Sequence, residues 1–518
     1  MRRLVAAVAG LLTLVGIGVV AGYLLVFSAS PDRAARAAPA DSAVYLNLYL
    51  QPSTGQKMNL FELVGRLPGF RDPATLDQKI HDVAQRFSGD LGVDYAADLR
   101  PWLGNQVALA VTPGDETSGT LHLLLLASVQ DPAAAEAAVP RLMGRGGATF
   151  EPQTYRGEQA MIGNGVSYAL LADLLLVADT AAGLRAALDA DADAAPSLAD
   201  SAAFASAMRT LPADHLAALY VNLARIASVA GDQPLGGYAT AALALVAEAG
   251  GLRLDGDVPF DAAAAGDAAR RAFALGAEAA TLPQWMPADT TAEVVVFGMR
   301  YSVLDLERQL SADPAFTEAT NAVNQLRALA AVGLGIDLDR DLLPLFDGEA
   351  AVALRALQAS GPRGLLLLRP SDPAAAQAAL DRIRNGLAER GSVLTTRSVR
   401  GVTITSVNIP QLARLAYALV DGVVVAGLDA DEVAASIEAH LDGTTLAAAG
   451  RYAAAFELAG GHAGNELWVD IPGLLDASSE IIDPGIEFRD ILHQIGELAA
   501  AASASGDHLE VRSVLIVK

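Results

Sequence analysis

A chain of 518 residues, 52% hydrophobic and 19% charged, has the composition of a folded globular protein, which excludes intrinsic disorder as its main character. Its net charge of −24 comes with no stripe of Lys and Arg that could release counterions from a phosphate backbone, which argues against nucleic acid as a partner. The absence of cysteine removes disulfides, thiolate metal sites, a cysteine nucleophile and a lipidated cysteine anchor.

The first predicted element is a membrane span. After Met1-Arg2-Arg3, residues 4–27 carry no charge. At 1.5 Å per residue such a helix is about 36 Å long, enough for a hydrocarbon core of about 30 Å. A cleavable signal has a shorter apolar region, so the run reads as a retained signal anchor, with FSAS at 27–30 and RAAPA at 36–40 as the alternative cleavage sites. Arg2 and Arg3 place the N-terminus in the cytoplasm and the bulk of the chain outside it, in a single-pass cell-membrane protein. Gly18 and Gly22 have the spacing that lets two spanning helices pack as a homodimer. No second uncharged run of that length follows. LARLAYALVDGVVVAG comes nearest, but Arg414 and Asp421 interrupt it, and it reads as a helix followed by a strand.

Beyond the anchor and a linker at 31–38, the chain repeats itself. PADSAVYLNLYL from Pro39 faces PADTTAEVVVFGM from Pro287, and LGVDYAADLRPWLGNQVALAV from Leu91 faces LGIDLDRDLLPLFDGEAAVAL from Leu334. DPAAAEAAV from Asp131 faces DPAAAQAAL from Asp372, YALLADLLLVAD from Tyr168 faces YALVDGVVVAGL from Tyr417, and LYVNL from Leu219 faces LWVDI from Leu467. A period of about 240 residues is that of a domain rather than a solenoid unit. The expected organisation is an anchor at 1–30, a linker at 31–38, and two repeats at 39–283 and 284–518. Within each repeat, short apolar strands alternate with a few helices. In the first, helices are expected near 59–66 and 75–88, and the Asp-Pro pairs at Asp72, Asp131, Asp313 and Asp372 read as helix starts, Asp capping and Pro fitting the first turn. ATFEPQ, EQAMIG, SYALLA and LLLVAD read as adjacent short strands. This pattern predicts an α+β fold, a tandem duplication of a domain with a largely antiparallel sheet packed by helices.

The Pro-Ala-Asp opening strand and the block DYAADLRPWLGNQVALAV resemble a bacterial family of exported, membrane-anchored proteins, domain of unknown function thirty-three fifty-two. The likeness covers most of the chain beyond the anchor, and the second repeat departs from it with PLFDG where the first has PWLG. It implies an extracytoplasmic location and transfers no catalytic residue.

Chemistry is sparse. Phosphate-loop, nucleophile-elbow and S-x-x-K patterns are missing, and nothing implies a cofactor. GRGG at 144–147 and GLG at 333–335 read as turns. The seven histidines show no ligand-pair spacing, and no metal site is expected. DLDRD at 337–341 starts like a calcium loop but has Leu342 and Gly348 where glycine and glutamate are needed, and DADAD at 189–193 fails the same test, so both read as solvated turns or helix ends. Trp102, beside Pro101 and ahead of a strand, reads as core. The only candidate site is QPSTGQK, a polar loop where the first repeat is longer than the second. There Ser53, Thr54 and Lys57 could hold an anion against a helix starting near Asn59.

These features suggest a membrane-anchored extracytoplasmic binding or interaction module without a catalytic site, meeting a protein partner or a small ligand. The alternatives are a carrier or sensor of a lipid or other lipophile, and a hydrolase whose Asp and Glu residues are not recognisable from spacing.

Overall fold

The computed structural model describes residues 32–67, 93–114, 121–144, 149–230, 237–312, 317–359, 361–409, 413–479, 481, 489 and 492–518. The expected anchor at 4–27, with Gly18 and Gly22, and the helix at 75–88 lie outside them. Among the described residues, no helix is long and apolar enough to cross a membrane.

The chain forms two compact units, Met1–Phe260 and Asp261–Lys518. In the first, ten strands are described: β1 Val44–Tyr49, β2 Leu103–Pro113, β3 Leu121–Val129, β4 Phe150–Tyr155, β5 Glu158–Gly163, β6 Ser167–Leu170, β7 Leu174–Ala178, β8 Ala217–Asn222, β9 Thr240–Glu248 and β10 Gly251–Pro259. They pair in the order β10-β9-β8-β1-β2-β3-β7-β6-β5-β4, each pairing antiparallel. The second unit holds β11 Ala292–Phe297, β12 Glu349–Gln358, β13 Gly361–Arg369, β14 Val393–Val399, β15 Val402–Ile409, β16 Ala413–Val420, β17 Val423–Gly427, β18 Asn465–Asp470, β19 Ile495–Ser505 and β20 His508–Val517. Its order is β20-β19-β18-β11-β12-β13-β17-β16-β15-β14, the same path through the same kinds of pairing. The expected α+β class with a largely antiparallel sheet is what the chain adopts.

Because successive side chains of a strand point to opposite faces, each sheet builds two cores. In the first unit, Leu124, Leu126, Leu174 and Leu176 pack under helices Ala181–Asp191 and Ala202–Arg209, with Leu184, Leu188 and Phe204 buried against them. On the opposite face Ala127, Leu175 and Tyr168 meet Ala135, Ala138 and Val139 of helix Pro132–Met143, and Trp102. Trp102 is core as expected, its indole donating to the Asp98 carbonyl at 2.6 Å. In the second unit, Leu365, Leu367, Val423 and Val425 pack under helices Ala430–Asp442 and Gly450–Leu458, and Leu368 and Val424 meet Ala376 and Ala379 of helix Pro373–Glu389.

Both described Asp-Pro starts behave as read. Asp131 accepts from the Ala134 amide, and Asp372 from those of Ala374 and Ala375. Replacing Asp372 by alanine is expected to cost about 1 kcal/mol, the usual worth of an N-cap, seen as a lower urea midpoint at unchanged slope.

Three readings of the sequence need correction. The stretch at 413–427 is a hairpin of β16 and β17, not a helix and a strand. Asp421 and Gly422 both take positive φ, 49° and 78°, the backbone a tight two-residue turn demands. The helix expected from Asn59 starts at Thr54, because Ser53 caps it. Residues 33–38, expected as linker, are docked into the first unit. Ala34, Ala35, Ala37 and Ala38 are buried, and the amides of Arg33 and Ala34 both donate to Gln106 Oε1, at 3.2 and 3.3 Å. The second unit opens in the same manner. The amides of Thr281 and Leu282 both donate to Glu349 Oε1, at 2.7 and 2.8 Å, and Trp285 and Met286 are buried behind them. A segment lying across the sheet has backbone donors to satisfy, and a single side-chain oxygen from β2 or β12 serves them.

Candidate functional site

The sequence-derived candidates meet at the start of helix Thr54–Arg66. Ser53 accepts from the Gln56 amide at 3.2 Å and donates to Asp214 Oδ2 at 2.6 Å. Thr54 is the first helical residue and is exposed, and Lys57 lies in the same turn with its amide bonded to the Ser53 carbonyl at 2.9 Å. Asp214, close in space but remote in sequence, thus places a carboxylate at this helix start.

The acidic motifs are structural. Asp94 and Asp337 each cap a helical turn, and each donates its amide to a carboxylate four residues on, Asp98 and Asp341, at 3.0 and 3.1 Å. Asp341 is only 1% exposed, against the expectation of a solvated turn. Burial pushes its carboxyl up, but hydrogen bonds from Arg340 and Arg382, at 3.0 and 2.7 Å, outweigh that and hold it below the ordinary carboxylate range. In DADAD, Asp189 takes Tyr155 and Arg156, and Asp191 takes Arg33.

A second acidic group, not singled out by spacing, lies inside the second unit. Glu293 on β11 sits opposite Trp468 on β18, and Glu466 lies two residues before Trp468. Tyr452, on helix Gly450–Leu458, places its hydroxyl between the two carboxyl groups, 2.8 Å from Glu293 Oε1 and 3.1 Å from Glu466 Oε2. His462 adds Nδ1 at 3.2 Å from Glu466 and stacks on the Tyr452 ring. One hydroxyl proton cannot serve two carboxylates at once, so the arrangement favours a proton on one of them. Burial, reinforced by the negative charges of Glu466 and Glu349, lifts Glu293 to about 8 despite the Tyr452 hydrogen bond. Burial and the carboxyl groups of Glu293 and Glu466 also push the Tyr452 hydroxyl well up, keeping it a donor. In the first unit the same register position is aromatic. Tyr45 sits opposite Tyr220, and both meet Phe204 edge-on at 5.6 and 5.2 Å. Glu293, Glu466 and Tyr452 are all sealed from solvent, an arrangement suited to storing a proton rather than meeting a substrate.

Two hollows of ligand size are described in the second unit: one of about 360 Å³ lined by Arg340, Arg382 and Arg390, of which Arg340 and Arg382 are engaged by Asp341, and a cavity of about 460 Å³. Helices Asp267–Leu275 and Met299–Ala312 form the walls of the larger one, with Arg271, Arg300, Tyr301, Leu304, Arg308 and Asp267 among the lining residues. Arg300, Leu304 and Arg308 recur every fourth residue and so share one helix face. Arg271 lies over the Tyr301 ring, 5.6 Å from its centre. Arg308 spends one nitrogen on Asp305 at 2.6 Å, and Asp267 is engaged by Arg270. Among the described residues, neither Arg271 nor Arg300 has a carboxylate in ion-pair contact. No motif of known chemistry marks these residues in the sequence, where Arg271 lies within DAARRAFAL near the end of the first repeat. The available signal was R-x-x-x-L-x-x-x-R, a cationic face on a helix.

The family model for proteins of unknown function DUF3352 matches residues 5–511, and the chain belongs to that family. No curated protein matches it. Among solved structures, crystal form I of TP0453 is similar with a TM-score of 0.26 and 13% identity, over 46% of this chain and 81% of that one. Crystal form III of the same protein gives 0.26 and 12%, over 49% and 90%.

Proposed function

We propose that this chain is a membrane-anchored extracytoplasmic binding protein made of two copies of one α+β domain, and that its ligand site is the arginine-lined cavity of the second copy. That cavity is the observation that carries the reading. In a chain of net charge −24, three guanidinium groups around one hollow are a local reversal of sign, and a cationic cluster of that kind suits an anionic ligand. The duplication is supported by the identical strand paths and by the matched docking of residues 33–38 on Gln106 and 281–286 on Glu349. Residues 4–27 supply the anchor.

A lipophile carrier is the second reading. Val294 and Val352, a cross-strand pair, are 43% and 55% exposed, whereas Leu46, at the position of Val294 in the first unit, is buried.

Deleting residues 1–30 is expected to release a monodisperse soluble protein. Native mass spectrometry of that protein, purified gently from its export compartment, should then show a discrete adduct of an anionic compound. A bare chain would shift the assignment to a scaffold for protein partners, and wholesale aggregation would sink the single-anchor reading.

A further inference from the structure

We infer that the cavity between helices Asp267–Leu275 and Met299–Ala312 is a site for a phosphoryl group. The inference rests on the binding reading above and names its ligand class. A single carboxylate is satisfied by one bidentate guanidinium. Here Arg271, Arg300 and Arg308 converge from two helices, which suits a tetrahedral oxyanion with three or more acceptor oxygens and a charge of up to −2.

The supporting contacts fit that task. The Tyr301 ring holds Arg271 by cation–π attraction, and Asp305 holds one nitrogen of Arg308, so both guanidiniums are steadied while keeping further N–H donors. Asp267 is the acidic residue of the lining, and Arg270 neutralises it. Leu304, on the same helix face as Arg300 and Arg308, is 39% exposed and gives the cavity an apolar wall. A phosphoryl group attached to an apolar chain would bury that wall, whereas free phosphate would leave it wet. The shared chemistry is the phosphoryl anion, and its source is either a lipid headgroup or a small soluble phosphate.

The test uses the full chain in phosphate-free dodecyl maltoside micelles, stripped of phospholipid and titrated calorimetrically with inorganic phosphate, with short-chain phosphatidic acid, and with decanoate. Saturable binding of phosphate alone assigns a soluble source. Binding of the phosphatidic acid at least tenfold tighter than phosphate assigns a headgroup. Either result supports the inference, provided Arg300→Ala weakens it by roughly tenfold or more, the usual scale of a lost charged hydrogen bond. Arg300→Lys, which keeps the charge and loses the fork, should fall between wild type and Arg300→Ala; with no ion pair to break, it also guards against loss of fold. Decanoate binding as well as phosphatidic acid would overturn the phosphoryl assignment and leave an anion site standing. No binding of any of the three, or binding that Arg300→Ala leaves unchanged, would overturn the site itself.

Discussion

Replacing Glu293 by glutamine is expected to flatten the pH dependence of stability of the second unit between about pH 4.5 and 8. Burial raises the folded carboxyl from its ordinary 4.5 to about 8, so within that window the folded protein keeps a proton that the unfolded chain has released. The contribution to stability is therefore full below pH 4.5 and is lost as pH rises toward 8. The slope is about 1.4 kcal/mol per pH unit for one proton, a total of a few kcal/mol. Glutamine cannot ionise, and its carbonyl oxygen can still accept from Tyr452. The variant should match wild type near pH 5 and exceed it near pH 8. Urea unfolding at pH 5, 6, 7 and 8 measures this directly, and parallel curves for the two proteins would remove Glu293 as the stored proton. Tyr452→Phe serves as a contrast. It strips the shared donor from both carboxyl groups and should destabilise at every pH.

The other large effect concerns Glu349. Its carboxylate accepts from the amides of Thr281 and Leu282 and from the Thr281 hydroxyl, and it lies 3.7 Å from Arg369. Glu349→Ala leaves those donors buried without an acceptor, and a loss of about 3–5 kcal/mol is expected. Glu349→Gln should cost much less, about 1–2 kcal/mol, since one amide oxygen can still serve both backbone donors. The first unit already works that way, with Gln106 accepting from Arg33 and Ala34. Hydrogen exchange provides a local readout: the Thr281 and Leu282 amides should lose protection in the alanine variant and keep it with glutamine. Equal losses in both variants would show that the shared oxygen is not what holds the segment.

These features also mark what could be read from the sequence. Asp131 and Asp372 declared their helices because a cap and a first-turn proline act over three or four residues. Trp102 was legible as core because its neighbours were strand and proline. Asp421-Gly422 carried a tight-turn signal as well, but it was outweighed by the alanine and leucine that precede it. The Glu293 cluster was hidden for a different reason. Glu293 stands within AEVVVF, an apolar strand, and meets Tyr452 and Glu466 only after the chain has returned through many elements. No local spacing encodes that meeting. The arginine cavity falls between these cases: the period of four within Met299–Ala312 was visible, whereas Arg271 joins it only through helix packing.

The docking of Arg33 and Ala34 on Gln106 fixes how much freedom the first unit has at the bilayer. If residues 4–27 span it, as proposed, the chain from Phe27 to Asp32 extends by at most about 18 Å. That is a short leash. The first unit cannot sweep a wide volume of the surrounding compartment, and it stays within reach of the headgroup layer at all times. Its encounters are then those of a molecule confined to two dimensions, and its effective concentration toward neighbours in the same membrane is set by surface density rather than by bulk diffusion.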